Sequence, residues 1–261
     1  MPNSERFEII MPEDPRYRDR VRGLTRAAWP EFMLHDAVAN EHWHELLDRF
    51  AGFQVALYDR ENDEAAAMAN SFPLRWTAPL AELPDGGWDW AFEEAVRQHQ
   101  QGLTPNLSCA IQVAIRPEYR RYRLSRPVLE ALHQIATQQG FEHLIVPLRP
   151  SQKSQYPLTS IDDYVNWQNS VGLPFDAWLR VHVRAGAQVL KCCHTSKTMR
   201  GTVAEWETWT GLRFPQTDRY IIPDALTPIQ IDREQDEGIY VEPNVWVAHP
   251  VLAQEKRADK I

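Results

Sequence analysis

The chain has 261 residues, enough for one large domain or two small ones and for a substantial buried core. Its 36 acidic and 28 basic residues leave a formal charge of −8, which argues against general binding to nucleic acid or anionic membrane, because both need a basic face. With 43% apolar and 25% charged residues, the composition is that of an ordinary globular protein and excludes disorder or a fibrous fold as the default.

The longest apolar runs, Phe53 to Tyr58 and Leu144 to Leu148, fall far short of the ~20 residues that cross a bilayer. The N-terminus Met1-Pro2-Asn3-Ser4-Glu5-Arg6 lacks the basic start and apolar middle of a secretory signal, so a cytoplasmic location is expected. Cys109, Cys192 and Cys193 are too few for a disulfide framework, and an adjacent pair is poorly spaced for metal. They read as buried thiols, and no metal is expected. With no repeat or long linker, the chain reads as a single domain over 1–253 with a polar tail at 254–261.

In chain order, Phe7 to Met11 reads as a strand and Tyr17 to Met33 as a helix interrupted late by Pro30. His42 to Phe50 reads as a second helix. The strand from Phe53 to Tyr58 and the segment Ala65 to Phe72 make a hairpin around Asp59-Arg60-Glu61-Asn62-Asp63. After the turn Leu83-Pro84-Asp85-Gly86-Gly87, Asp89 to Gln100 has helical composition and is expected as an insertion or surface helix. Leu107 to Ile115 is the clearest strand. It is followed by a helix from Arg126 to Gln139 that stops at Gly140, and by the apolar strand Leu144 to Leu148, giving a β-α-β core. Helical pieces are predicted at Ile161 to Trp167, Phe175 to Ala185 and Val203 to Thr210, with strands at Gln188 to Cys193 and around Tyr220 and Ile239.

The core unit carries a motif. Val113-Ala114-Ile115-Arg116-Pro117-Glu118-Tyr119-Arg120-Arg121-Tyr122-Arg123-Leu124-Ser125 is an apolar strand, a proline, and a basic turn that opens a helix. Such a turn offers backbone N–H groups and the positive end of a helix dipole to an anion, and Arg120, Arg121, Arg123 and Arg126 add charge. Pro127 suits the first helical turn, and Val128, Leu129, Leu132, Ile135 and Ala136 form one apolar stripe.

This segment resembles the cofactor motif of the GNAT superfamily of acyl-CoA-dependent acyltransferases, an apolar strand followed by Arg-x-x-Gly-x-Gly/Ala. Here Arg120, Arg123 and Ser125 fill those slots, so that Arg123 replaces the central glycine, which permits close approach of phosphate. The resemblance implies an α/β fold: a GNAT-like mixed central sheet with flanking helices and, here, an extended C-terminal region. It implies acetyl-CoA or another acyl-CoA as co-substrate, held by Val113, Ile115, Arg120, Arg121, Tyr122, Arg123, Leu124 and Ser125. It also implies that His182, in Trp178-Leu179-Arg180-Val181-His182-Val183-Arg184-Ala185-Gly186, stands where the family often has a tyrosine that protonates the departing thiolate. An imidazole titrates near neutrality and is chemically able to do the same.

The strand from Ser108 to Val113 supplies no acidic residue as a general base. Lys153 and Tyr156 follow the core strand at its carboxyl end, where ligands of open α/β sheets bind, and are candidate substrate contacts. Of the ten tryptophans, Trp29 and Trp246 are the preferred candidates for walling an acyl pocket. The expected acceptor is a small-molecule amine or an acyl carrier protein, with no nucleic acid or membrane partner.

Two further readings stay open. Likeness to GNAT-like loading domains of polyketide synthases implies decarboxylation of malonyl-CoA and acyl passage to a carrier-protein thiol, within secondary metabolism. His182 then matches their histidine, whereas Leu148 and Arg149 stand where their threonine is expected. Alternatively, Arg123 marks a decayed loop in a non-catalytic binding protein.

Overall fold

The structure, a computed structural model, describes residues 6–251. The polar tail expected at 254–261 lies outside the described residues. Among the described residues, nine strands form one mixed sheet: β1 (Phe7–Ile10), β2 (Gln54–Asp59), β3 (Glu64–Leu74), β4 (Leu107–Ile115), β5 (His143–Leu148), β6 (Gln188–Gly201), β7 (Asp218–Tyr220), β8 (Ile229–Asp232) and β9 (Glu237–Pro250). Their order is β1-β2-β3-β4-β5-β9-β8-β7, with β6 alongside β9. The mixed sheet with flanking helices is that expected from the sequence.

Helices cover both faces. On one, α6 (Ser125–Gln138) buries Val128, Leu129, Leu132, Ile135 and Ala136, the apolar stripe read from the sequence. On the other lies α5 (Gly87–Gln100), whose Trp88, Ala91, Phe92, Ala95 and Val96 are buried against the sheet. It is therefore not the surface helix expected at 89–100, because its apolar residues recur at helical spacing on a single face.

The predicted helix over residues 17–33 is three short pieces, α1 (Tyr17–Val21), α2 (Leu24–Ala28) and a 3-10 turn at Glu31–His35. Gly23 takes a left-handed φ of +76° and breaks the first junction, and Pro30 breaks the second. The helix expected at 42–50 is the shorter α4 (Glu45–Asp48), and α3 (Ala37–His42) precedes it. Asp36 caps α3 by accepting from the Ala39 amide at 2.6 Å. In the C-terminal half come α7 (Ile161–Val165), α8 (Ala177–Arg184) and α9 (Val203–Thr210). The strand expected to end at Cys193 runs on to Gly201, and β8 is a strand that the sequence reading lacked.

The three cysteines are free and buried. No helix among the described residues is long and apolar enough to cross a membrane.

Two irregularities in β4 shape the site. Its register with β3 slips between Asn70↔Gln112 and Ser71↔Ala110, which makes Ile111 a bulge. Leu107, Cys109 and Ile111 pack toward α5, whereas Ala110, Val113 and Ile115 pack toward α6. The extra residue thus moves the odd-numbered positions beyond it onto the α6 face. The second irregularity is at the β4–β5 ladder. This parallel pairing comprises only Ser108↔Leu144 and Cys109↔Ile145, although β4 continues to Ile115 and β5 to Leu148. Beyond Cys109 the two strands diverge and the sheet opens.

Candidate active site

The opening between β4 and β5 leads into a cleft of about 940 Å³. Its walls are β4 from Ala110 to Val113 and Ile115, β5 from Val146 to Leu148 with Arg149 after it, the start of α6, one face of α8, the α2–α3 segment that carries Trp29 and Met33, and Trp43 after α3. Ends of parallel strands that part company are where open α/β sheets bind ligands, because the backbone groups there lack a neighbouring strand.

At one end, Arg120 and Ser125 line the cleft at the N-terminus of α6, a helix whose first turn has no side-chain cap. Exposed N–H groups and the helix dipole make this end suited to an anion. Arg123 adopts φ 55° and ψ 40°, the left-handed conformation that a glycine would take without cost. The turn therefore keeps a shape that favours glycine although the side chain is arginine, and that side chain is exposed outside the cleft lining.

The neighbouring candidates divide. Val113, Ile115, Arg120 and Ser125 line the cleft. Leu124 is fully buried in the core beneath α6. Arg121 and Tyr122 turn to another face, where the Tyr122 ring meets Phe7 edge-on at 5.7 Å and carries the Arg6 guanidinium 4.9 Å away. None of these three residues lines the cleft.

His182 lines the middle of the cleft and is 1% exposed. The α8 helix that carries it is started by Asp176, whose carboxylate accepts from the amides of Trp178 and Leu179 at 2.9 and 3.0 Å. His182 Nδ1 lies 2.8 Å from His249 Nε2, and its own Nε2 has no partner among the described residues. Burial, followed by the nearby His249 and His133, pushes the His182 pKa well below 6.5, so the ring is neutral at physiological pH. Burial first and then His133 push His249 down to about 4, against the Ala185 backbone, which favours its proton.

The far end is polar beneath an aromatic wall. Lys197 sits 3.1 Å over the Trp88 ring and pairs with Asp36 at 2.9 Å and Asp89 at 3.2 Å. Burial raises Asp89 to about 6 against the pull of Lys197. Beside it, Arg149 Nε bridges both oxygens of the buried Glu242 at 3.0 Å, and Tyr240 donates its hydroxyl to the same carboxylate at 2.8 Å. The Trp88 indole N–H donates to the Ile111 carbonyl at 2.8 Å and so fixes the bulge.

Trp29 lines the cleft, with the Arg149 guanidinium 5.8 Å from its ring. Trp246 does not. It is fully buried against α5 and gives its indole N–H to the Pro84 carbonyl at 2.8 Å, because an inward position on a central strand is a core position. Lys153 and Tyr156 also lie away from the cleft. The Lys153 ammonium is buried and holds the carbonyls of Tyr156 and Leu226 at 2.8 and 2.7 Å, with burial lowering its pKa to about 8. Tyr156 packs edge-on against Trp167 and Phe175. Both residues brace a loop.

Sequence reasoning missed Gln112, Trp88, Lys197, Glu242 and Asn244, all of which line the cleft. One signal was available: Glu242 and Asn244 are polar residues at alternate positions of an otherwise apolar strand, and buried polar residues in strands mark sites or networks. Among the described residues, no group of three or more His, Cys, Asp or Glu is placed to hold a metal ion.

A sheet parted after two parallel pairs leaves an opening with an anion-suited turn at one end and a buried histidine along its wall, a shape that admits an extended ligand. The chain belongs to the GNAT superfamily of acyl-CoA-dependent acyltransferases. It is 32% identical over 249 residues to the arginine N-acetyltransferase avaD of Aspergillus versicolor, covering 85% of each chain. In fold it is similar to the loading GNATL domain of CurA from Lyngbya majuscula, with a TM-score of 0.59 and 17% identity over 94% of this chain and 98% of that one. It is also similar to the GphF GNAT-like decarboxylase in complex with isobutyryl-CoA, with a TM-score of 0.55 and 14% identity over 95% of this chain and all of that one. No family model matches the chain.

Proposed function

We propose that the protein transfers a short acyl group, acetyl in the first instance, from CoA to a small-molecule amine held at the polar end of the cleft. The observation that carries this reading is the break in the β4–β5 ladder with the unpartnered His182 Nε2 beside it. The anion-suited turn at Arg120 to Ser125 takes the pyrophosphate. The free edge of β4 at Val113 and Ile115 offers main-chain hydrogen bonds to the amides of the pantetheine arm, as an unpaired strand edge does for any extended chain. The thioester then lies at His182, and the acceptor enters between Trp29, Trp43 and Trp88.

At the polar end Lys197, Arg149 and Glu242 line the cleft, with Glu242 paired to Arg149 and with Asp36 and Asp89 paired to Lys197. The 32% identity to an arginine N-acetyltransferase makes arginine and arginine-containing compounds the first acceptors to try. A secondary-metabolic setting and a cytoplasmic location are part of the same reading.

The test is calorimetric titration with CoA, acetyl-CoA and malonyl-CoA, followed by mass spectrometry of each acyl-CoA with arginine, other amines and a carrier protein. Micromolar binding and an acetylated amine support the proposal. Loss of carbon dioxide from malonyl-CoA with transfer to the carrier thiol supports decarboxylative loading instead, and no binding to any CoA refutes both.

A further inference from the structure

His182 is one of three histidines in sequence on adjacent elements. His249 of β9 is 0% exposed and lies behind it, and His133 of α6 sets its ring edge-on to His249 at a centroid separation of 4.6 Å and 88°. His182 lines the cleft and His249 does not, and with His182 Nδ1 bonded to His249 Nε2 the nitrogen left over, Nε2, is buried and unpartnered. Among the described residues, His249 and His133 are the titratable groups that bear on His182, and Glu130, also on α6, bears on His133.

Two buried neutral imidazoles 2.8 Å apart share one proton, and its position decides what faces the substrate. With the proton on His182 Nδ1, Nε2 presents a lone pair. With the proton on His249 Nε2, His182 Nε2 presents an N–H. Transfer to an amine needs a lone pair while nitrogen attacks, and β4 supplies no carboxylate to provide it. The second nitrogen of His249, Nδ1, has no hydrogen-bond partner among the described residues, so that ring can carry its own proton there while Nε2 accepts.

The geometry points to His249 as a positioning residue that accepts the Nδ1 proton of His182 and so fixes His182 Nε2 as the base for the attacking amine. This assignment rests on the acyl-transfer reading above. In the step it implies, the amine nitrogen forms a bond to the thioester carbon and the carbon–sulfur bond breaks, with its electron pair going to sulfur. The proton lost by nitrogen goes to His182 Nε2 and from there to the thiolate, so no other reactant is consumed. His182 is imidazolium between the two transfers, and the His249 lone pair stabilises it through the same hydrogen bond.

The test compares wild type with His182→Ala, His249→Leu and His249→Gln in kcat, KM for acetyl-CoA and melting temperature, together with 15N NMR of histidine-labelled wild-type protein. The expected results are a loss of about 100-fold or more in kcat for His182→Ala and a loss of about tenfold or more for His249→Leu with KM within about twofold. His249→Gln, which retains an acceptor, recovers most of that loss, and the wild-type spectrum shows His182 protonated at Nδ1. Wild-type kcat in His249→Leu beside an inactive His182→Ala overturns the role of His249 and leaves acyl transfer standing. A resting His182 protonated at Nε2 overturns it too, whether or not the leucine variant folds. An active His182→Ala overturns the reading on which it rests.

Discussion

Replacing Arg123 by glycine isolates the one departure from the family motif. Arg123 holds φ 55° and ψ 40°, and its amide lies 3.4 Å from the Arg120 carbonyl, so the turn is already formed. A left-handed L-residue costs about 1–2 kcal/mol, and glycine removes that cost while giving back about 0.5–1 kcal/mol in unfolded-chain entropy. The net is about 0.5–1 kcal/mol of added stability. For a chain of this size that raises the melting temperature by roughly 1–4 °C. Because the arginine side chain is exposed and outside the cleft lining, CoA affinity is expected to stay within about fivefold. Differential scanning fluorimetry and calorimetry with CoA measure both quantities. A melting temperature lowered by several degrees would mean that the side chain holds the loop. An affinity raised more than about tenfold would mean that arginine obstructs the phosphates, and either result refutes the reasoning.

Three other perturbations have defined outcomes. Arg149→Met strands the fully buried Glu242 carboxylate and should cost about 3–5 kcal/mol in urea unfolding, of which the double variant with Glu242→Gln recovers more than half. Gly87→Ala puts a Cβ 2.2 Å from Ser196 Oγ and 2.9 Å from Ser196 Cα at a φ of +44°, and should cost about 2–4 kcal/mol by displacing the serine that holds the Trp88 amide and Asn244, read as a lowered melting temperature. His194 lies between Asp162 and Asp85 at 2.9 and 3.2 Å, and these two raise its pKa above 6.5, Asp162 more. Its contribution is full below 6.5 and fades as pH rises through the raised folded-state value, and the two carboxylates, lowered from 3.8 by partners that include His194, lose theirs only at acid pH. The melting temperature of His194→Gln should therefore fall below wild type most at about pH 5 and converge with it at about pH 9.

The β-α-β unit was legible because its signals are local. Leu107 to Ile115 and Leu144 to Leu148 are apolar runs of strand length, and the stripe from Val128 to Ala136 has the helical period. His182 stood out because the helix carrying it is closed by Gly186 in a recognisable context, and the structure places it on the cleft wall. The polar end of the cleft was not legible. Lys197, Glu242 and Asp36 meet only because β6, β9 and the segment before α3 converge from distant parts of the chain, and no spacing in one sequence encodes that meeting. Trp246 and Lys153 misled for the opposite reason: their residue types suit a site, but burial gave each a backbone carbonyl to satisfy. Gly23 and Pro30 break the helix that the periodic pattern predicts over 17–33, because backbone conformation at two positions outweighs apolar spacing there.

The placement of β9 has a consequence for how the protein is made. Strands β1 to β4 pair with their neighbours in sequence, so half of the sheet is able to assemble as the chain leaves the ribosome. By contrast, β5 obtains its antiparallel partner only from residues 245–250, about a hundred residues later, and the same strand also completes β6 and β8. Until then the second half of the sheet exposes unpaired edges and the apolar faces of Leu144, Val146 and Leu148. Synthesis thus yields a half-built protein whose weak period ends with its last central strand. Slowed translation or a cut just before β9 should leave that half as an aggregation-prone substrate for chaperones.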